Sequence, residues 1–151
     1  MKKVLAIPKP PFKVDRVYRG LPVPYTVVWL PNAEKPDFTS IDSRRVSRIL
    51  RNNLCGICSF PFETDIRVWL AGYHEAKVIM STWFTDPPMH LKCARYTLKV
   101  CPFYLHDKVR EDTPDGTMPD EEVKALYVGR GIQLKGYSSR PKKLVRIERL
   151  A

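Results

Sequence analysis

Two short motifs, Cys55-Gly-Ile-Cys58 and His90-Leu-Lys-Cys93, constrain the fold of this chain more than any other feature. Two residues separate the members of each pair, and 31 residues separate the two motifs. A gap of two residues lets both thiolates of one tight turn reach a single ion at about 2.3 Å. His90 and Cys93 lie three residues apart at the start of a predicted helix, so they share one face. The sequence therefore predicts one tetrahedral zinc site that joins two distant stretches.

Cys101 is an alternative ligand in place of His90. In a continuous helix, the eight residues from Cys93 to Cys101 rise by about 12 Å, whereas two ligands of one ion lie at most about 4 Å apart. We therefore favour His90 and interpret Cys101 as a small buried hydrophobic residue. Two other interpretations stay open, namely unrelated buried cysteines and a redox Cys-x-x-Cys pair.

The segment from Ser40 to Asn53 has the spacing of an amphipathic helix. Ser40 or Asp42 can cap its start. The apolar positions recur at helical spacing, and they are Val46, Ile49, Leu50 and Leu54. Basic residues form a stripe on another side, and they are Arg44, Arg48 and Arg51. A solvated surface helix and a helix that contacts phosphates explain this pattern equally well.

The elements between and after the cysteine motifs are typical of a treble-clef zinc site. The stretches Ile66 to Leu70 and Lys77 to Phe84 have the composition of strands and predict a hairpin. Asp86 can cap a helix that holds two prolines in its first turn and continues to about Val100. We therefore predict an α+β, treble-clef-like zinc domain made of a knuckle, a hairpin and a helix.

The remaining segments extend this core within one predicted domain over residues 1–151, a length that suits a single hydrophobic core. A short strand is predicted from Tyr25 to Leu30, and residues 32–39 are predicted to be a polar loop. Ala125 to Val128, Ile132 to Leu134 and Leu144 to Ile147 predict a small C-terminal β region. The predicted organisation is a Pro-rich arm at 1–24, a helix and zinc-binding core at 40–104, an acidic loop at 105–123 and a basic β tail at 124–151.

The charge distribution favours a polyanionic partner. The chain has 26 Lys and Arg against 16 Asp and Glu, a formal net charge of +10. Residues 1–54 carry 11 basic and four acidic side chains, and residues 129–151 carry seven basic side chains against Glu148 alone. The candidate nucleic-acid contacts are Arg44, Arg45, Arg48 and Arg51 of the helix and Arg140, Lys142, Lys143, Arg146 and Arg149 of the tail. The candidates for base stacking are Trp69, Tyr73, Trp83 and Tyr137, although strand aromatics more often lie in a core.

Membrane and secretory classes are not expected. No apolar stretch approaches the roughly 20 residues that cross a bilayer. The apolar run after Lys3 ends at Pro8, which is too short for a signal peptide. We therefore expect a cytoplasmic protein whose cysteines are thiols or metal ligands rather than disulfides.

A longer pattern spans Arg51 to Phe103. It combines the Cys55 and Cys58 pair, the sequence Pro-Pro-Met-His-Leu-Lys-Cys-Ala at 87–94 and a terminal Cys-Pro-Phe at 101–103. This pattern resembles a set of largely uncharacterised zinc-finger-like proteins from phages and actinobacteria, and Gly-Leu-Pro-Val-Pro at 20–24 is similar as well. Ser-Phe-Pro at 59–61 stands where those proteins usually have Gly-Glu-Pro. The resemblance implies zinc bound by Cys55, Cys58, His90 and Cys93 and a phage or mobile-element origin, and it implies no activity.

Three functions follow from these patterns. The first is a non-catalytic zinc protein that binds DNA or RNA through its basic flanks, such as a phage-encoded regulatory factor in the host cytoplasm. The second is a protein-interaction or host-takeover factor whose arm at Pro8 to Pro11 docks on a host or virion protein. The third is a metal-dependent nuclease of the HNH type, which needs a catalytic histidine and an open metal site. If His90 binds zinc, only His74 and His106 remain for that chemistry. We therefore expect a structural zinc and no enzymatic activity.

Overall fold

The computed structural model describes residues 9–72, 83–100 and 124–149, which form a strand-rich α+β structure with two helices. The helices are α1 (Ser43–Asn52) and α2 (Leu91–Val100). The strands are β1 (Val17–Tyr18), β2 (Leu21–Pro22), β3 (Val27–Leu30), β4 (Lys35–Ile41), β5 (Ile66–Gly72), β6 (Lys124–Arg130), β7 (Gln133–Lys135), β8 (Ser138–Arg140) and β9 (Lys143–Arg149). The α+β class predicted from the sequence is confirmed. Neither described helix has the length and apolarity that crossing a bilayer requires.

The central sheet is antiparallel and has the strand order β5-β6-β9. Its middle strand, β6, pairs with β5 over seven residues and is buried at Leu126, Tyr127 and Val128. The predicted C-terminal strands therefore form, but β6 and β9 share one sheet with β5 instead of making a separate tail sheet. Pairing between strands so distant along the chain leaves no local signal in the sequence.

Residues that alternate along β5 and β6 pack on opposite faces of the sheet, as the strand period of two requires. One face carries Val68, Leu126 and Val128, which pack against Met89, Ala94 and the buried cysteines. We call this the cysteine face. The other face carries Trp69 and Tyr127, which pack against Phe84, Leu144 and Ile147. We call this the aromatic face.

Helix α1 forms as the amphipathic pattern predicts. The Asp42 carboxylate caps its start by accepting hydrogen bonds from the backbone N–H groups of Arg44 (3.0 Å) and Arg45 (3.3 Å). Ser40, the other candidate cap, belongs to β4. The apolar side of the helix is buried at Val46, Ile49 and Leu50. Asn53 ends the helix in the left-handed conformation, with φ of 54°.

The polar loop predicted over residues 32–39 is wrong, because most of it is strand β4. This strand pairs with β3 in a two-stranded sheet, where Trp29 lies opposite Pro36. An edge strand tolerates proline and charged residues, which are the same residues that indicate a loop. Composition alone therefore does not distinguish the two here.

The helix predicted to begin after Asp86 begins instead at Leu91. Met89 is extended, and it exchanges backbone hydrogen bonds of 2.9 and 3.1 Å with Val68 of β5. A proline disfavours helical geometry in the residue before it, so two successive prolines favour extended chain.

The predicted hairpin partner of β5 lies largely outside the described residues. Its described end, Phe84, pairs with Ser139 of β8, while Met89 occupies the edge of β5 at Val68.

The described part of the N-terminal arm packs on the domain. Strands β1 and β2 form a small hairpin, and Val23 is buried. The Arg16 guanidinium donates hydrogen bonds to the carbonyl oxygens of Pro24 (2.6 Å) and Tyr25 (2.9 Å). The Phe12 ring contacts Tyr96 of α2 edge to face at 5.5 Å. Residues 1–8, the predicted acidic loop, His74, Cys101 and His106 lie outside the described residues.

Candidate metal centre

The ligand atoms of Cys55, Cys58, His90 and Cys93 lie within 4.8 Å of one another. The imidazole Nδ1 of His90 is 3.3 Å from Sγ of Cys58 and 3.7 Å from Sγ of Cys93. The first two cysteines follow α1, His90 immediately precedes α2, and Cys93 lies in its first turn. The structure thus brings together the four residues that the sequence predicts as a ligand set.

The turn that carries Cys55 and Cys58 is shaped by local hydrogen bonds. The Cys55 N–H donates to the carbonyl of Phe60 and the Ser59 N–H donates to the carbonyl of Cys55, both at 2.9 Å. Ser59 adopts the left-handed conformation, with φ of 61°. These bonds fold the chain back on itself, so both thiols point into one space.

Gly56 allows the second motif to approach this turn. A Cβ atom at this position would lie 2.6 Å from Cγ of Pro87, so a larger residue does not fit without movement of the backbone. The Gly56 N–H also donates to the carbonyl of Pro88 at 3.0 Å. The two prolines therefore dock the segment before α2 on the cysteine turn, a role that differs from the predicted first turn of a helix.

Backbone N–H groups point at the sulfur of Cys55. The N–H groups of Ile57 and His90 lie 3.4 and 3.3 Å from this sulfur. Such hydrogen bonds stabilise a thiolate and orient it toward a metal ion. One donor belongs to each motif, so the two motifs are also joined through this sulfur.

The tautomer of His90 follows from its second nitrogen. Nε2 lies 3.0 Å from the carbonyl oxygen of Pro61. A carbonyl oxygen only accepts, so Nε2 carries the proton and the lone pair of a neutral ring is on Nδ1. Nδ1 is the atom that faces Cys58 and Cys93. A carbonyl partner on the distal nitrogen is the usual support of a metal-binding histidine. No motif in the sequence indicated this role for Pro61.

The protonation of the three thiols is coupled by their proximity. Burial raises the pKa of Cys55 to about 11. Hydrogen bonds from Cys55 and Cys93 lower the pKa of Cys58 to about 2. Hydrogen bonds with Cys55 and Cys58 raise the pKa of Cys93. One thiolate is thus stabilised by the protons of two thiols, and a divalent cation can replace these protons.

The donor set suits a soft or borderline metal ion. Three sulfurs and one imidazole nitrogen make four ligands, which is the number that a tetrahedral structural site requires. All three cysteines are buried, with 0 to 6% of their surface exposed. Magnesium and calcium prefer oxygen ligands, which this set does not offer. The cluster therefore has the chemistry of a closed metal site.

The predicted basic residues of α1 differ in their surroundings. Arg44, Arg48 and Arg51 are exposed, and none forms an ion pair with a described residue. Arg45 is half-buried, and its guanidinium lies 4.6 Å above the Tyr25 ring and donates to the Tyr25 carbonyl at 3.1 Å. Arg45 thus packs on the domain, whereas the other three are presented to solvent.

The C-terminal basic residues cluster where β6 meets β9. Lys142, Lys143 and Arg146 are exposed, and Arg149 is the last residue of β9. Arg146 lies 3.6 Å from the Glu148 carboxylate. Sequence patterns missed Arg130, which is exposed and lies directly opposite Lys143 on the neighbouring strand. Like charges in such a pair repel each other, and a bound anion would relieve the repulsion.

Two of the four aromatic candidates for base stacking are accessible. Trp69 has 0% of its surface exposed and donates its indole N–H to Oγ of Ser139 at 3.0 Å, so the stacking role considered for it is wrong. Tyr137 is 62% exposed and Trp83 is half-buried. Tyr73 lies outside the described residues.

Comparisons of the chain with models of protein families, with curated proteins and with solved structures found no match. The function is therefore inferred from the geometry of this chain's own residues.

Proposed function

We propose that this protein is a non-catalytic, treble-clef-like zinc protein that binds nucleic acid through its exposed basic side chains. A regulatory role belongs to the same proposal, and the family resemblance adds to it only a phage or mobile-element origin. The single observation that carries nucleic-acid binding is the presentation of Arg44, Arg48 and Arg51 from one rigid helix.

Zinc is the ion that fits this ligand set best. A turn with two cysteines and the first turn of a helix supply the four donors, and this arrangement is the one that the treble clef uses. An ion held by all four donors has no vacant position for a substrate, which supports a structural role. The three cysteines belong to the same buried cluster as Val68, Leu126 and Val128. Metal binding would therefore contribute directly to the free energy of folding.

Nucleic-acid binding is supported by how α1 is held. Its apolar side is buried, and the Asp42 cap fixes its start. The three exposed arginines thus occupy fixed positions and lack carboxylate partners among the described residues. Guanidinium groups bind phosphate oxygens in pairs of hydrogen bonds. Arg130 and Lys143 offer a second place for a phosphate at the end of the sheet.

A pair of matched double variants tests this function. Arg48→Ala with Arg51→Ala removes two exposed basic side chains from α1, and Lys92→Ala with Lys99→Ala removes two exposed basic side chains from α2. Binding of the full chain to labelled DNA and RNA is measured by fluorescence anisotropy over a series of salt concentrations. We expect the α1 variant to weaken binding and to reduce the slope of log K against log salt by about 1.4 to 1.8. The α2 variant has the same net charge and should bind as the wild type.

Equal losses in both variants would show that only net charge matters, and unchanged binding in the α1 variant would remove α1 from the interface. Absence of any binding at low salt contradicts the function itself and favours a protein partner. Cleavage of plasmid or RNA by the purified protein with magnesium or manganese would instead support the nuclease alternative.

A further inference from the structure

Trp83, Gln133 and Arg140 lie in one row across three neighbouring backbone segments. Phe84 and Ser139 exchange two backbone hydrogen bonds of 2.8 Å each, so the segment at 83–85 runs antiparallel beside β8. On its other edge β8 pairs with β7, with Arg140 opposite Gln133. Residues directly opposite in antiparallel strands share a face. We call the face that carries this row the ribbon surface.

The ribbon surface faces away from the aromatic core. Phe84 and Ser139 are buried against the aromatic face of the sheet, where Ser139 accepts the indole hydrogen bond of Trp69. Neighbouring residues in a strand point to opposite sides. Trp83 and Arg140 therefore project from the other side, where both are half-buried.

Contacts with two described residues, Trp83 and Gln133, hold the Arg140 guanidinium in place. Its central carbon lies 4.6 Å from the centre of the Trp83 ring. Its Nε donates a hydrogen bond of 2.7 Å to the side-chain oxygen of Gln133. A guanidinium held on an aromatic ring and tied at Nε has little rotational freedom left to lose on binding.

Lys135 and Tyr137 extend the ribbon surface. Lys135 lies two residues along β7 from Gln133, so it shares the same face, and it is exposed. Tyr137 lies with Gly136 in the two-residue turn between β7 and β8 and is 62% exposed. Gly136 has φ of 60°, which a turn of this length requires. An aromatic ring, a guanidinium, an amide and an ammonium group thus lie along one ribbon.

We propose that the ribbon surface binds the unpaired bases of a single-stranded nucleic acid. This inference rests on the proposed function and names the form of nucleic acid that it uses. Arg140 stacks on one base, the Gln133 amide bonds the edge of that base, and Lys135 contacts a flanking phosphate. The Tyr137 ring can stack on a second base.

Duplex nucleic acid does not suit this surface. The faces of paired bases are covered by the neighbouring pairs, and only their edges are accessible in the grooves. Stacking groups on a flat ribbon can therefore reach bases only where the strand is unpaired.

The test compares Arg140→Lys with Arg19→Lys in the full-length protein. Both changes keep the charge and remove a planar guanidinium that lies over an aromatic ring. Arg19 lies between β1 and β2, outside the row, with its guanidinium 5.2 Å from the centre of the Tyr18 ring. The probes are a labelled DNA strand, an RNA strand of the same sequence and the corresponding DNA duplex. We expect Arg140→Lys to weaken binding of both single strands about tenfold and to leave duplex binding within twofold, and we expect Arg19→Lys to change neither. Melting temperatures establish that each variant is folded, and Gln133→Ala decides the question if Arg140→Lys does not fold.

Each other outcome overturns this inference. If the two Arg→Lys variants behave alike, or if Arg140→Lys and Gln133→Ala bind single strands as the wild type does, the ribbon surface is not the binding site. A wild-type protein that prefers duplex overturns the inference while the proposed function stands. A wild-type protein that binds none of the three probes overturns both.

Discussion

The two faces of the central sheet are formed by the same strands but are covered by different kinds of side chain. On the aromatic face, the rings of Trp69 and Phe84 stack at 5.6 Å and those of Phe84 and Tyr127 lie 5.3 Å apart. On the cysteine face, Val68 and Val128 meet small residues and three thiols. Large rings fill space and exclude water by themselves. Thiols packed together leave a cluster of ionisable groups that a metal ion would join.

The stability of the two faces should therefore have different sources. The aromatic face packs through its own side chains, whereas the cysteine face of the proposed zinc protein would need both its side chains and an ion. Removal of the ion should therefore open the cysteine face first. Truncation of a ring should cost free energy without loss of metal. Four substitutions, given in order of decreasing effect, test this contrast.

Cys93→Ser should have the largest effect. It removes one of four ligands at a position with 0% exposure. The binding free energy of a structural zinc is about 10 to 16 kcal/mol, so its loss should abolish cooperative unfolding. Elemental analysis and thermal unfolding by circular dichroism measure both consequences. Cys101→Ser is the matched control, because the sequence predicts Cys101 outside the ligand set. A Cys93→Ser protein that retains a full equivalent of metal and melts like the wild type would contradict the ligand assignment.

Trp69→Ala should have the second-largest effect, through lost packing and the lost hydrogen bond to Ser139 and not through the metal. The side chain is fully buried on the aromatic face, and truncation of a buried aromatic residue costs about 3 to 5 kcal/mol. Denaturant titration in the presence of zinc gives the change in the free energy of unfolding. Metal content should stay at that of the wild type in the folded variant. Loss of metal at this position would show that the two faces are not independent.

Gly56→Ala should come next and should act on the cysteine face. The new Cβ would lie 2.6 Å from Pro87, and overpacking of this kind costs about 1 to 3 kcal/mol. Because Gly56 joins the two ligand motifs, the variant should also bind zinc more weakly. Competition with a chromophoric chelator measures the affinity. Gly136→Ala is the control, because a Cβ atom added at this turn position meets no other atom within 4 Å. It should leave zinc affinity unchanged even if the left-handed φ of Gly136 makes the substitution lower stability.

Ser139→Ala should have the smallest effect of the four, because it costs stability without weakening zinc binding. It leaves the buried indole N–H of Trp69 without its partner at 3.0 Å, which costs about 1 to 3 kcal/mol. In a Trp69→Phe background, which has no indole N–H, Ser139→Ala should cost less than it does in the wild type. An equal cost in the two backgrounds would mean that this hydrogen bond contributes little.

The candidate metal ligands and α1 are predictable from the sequence because their signals are local. Two pairs of residues at a spacing of three define the ligand candidates, and Val46, Ile49 and Leu50 define the buried side of the helix. The sequence narrows the helix cap to Ser40 or Asp42, and the structure selects Asp42. Each of these inferences needs only a few neighbouring residues.

The rest depends on contacts between distant segments, which local patterns do not encode. Tyr127 lies in the middle of the sheet because β5 and β9 flank it, and nothing near Tyr127 indicates those partners. Met89 is extended because it pairs with Val68. Val68 lies in the first strand of the predicted hairpin, whereas Met89 lies beyond its second strand. The Pro61 carbonyl that orients His90 is a backbone group and leaves no trace in the sequence.

Native mass spectrometry of the purified full-length chain, combined with a thermal melt in the presence and absence of a strong chelator, is the decisive experiment on the proposed zinc centre. We expect one zinc ion per chain and the loss of the cooperative transition when the chelator removes it. A chain that carries no metal and melts at the same temperature in both conditions would rule out a fold that depends on zinc.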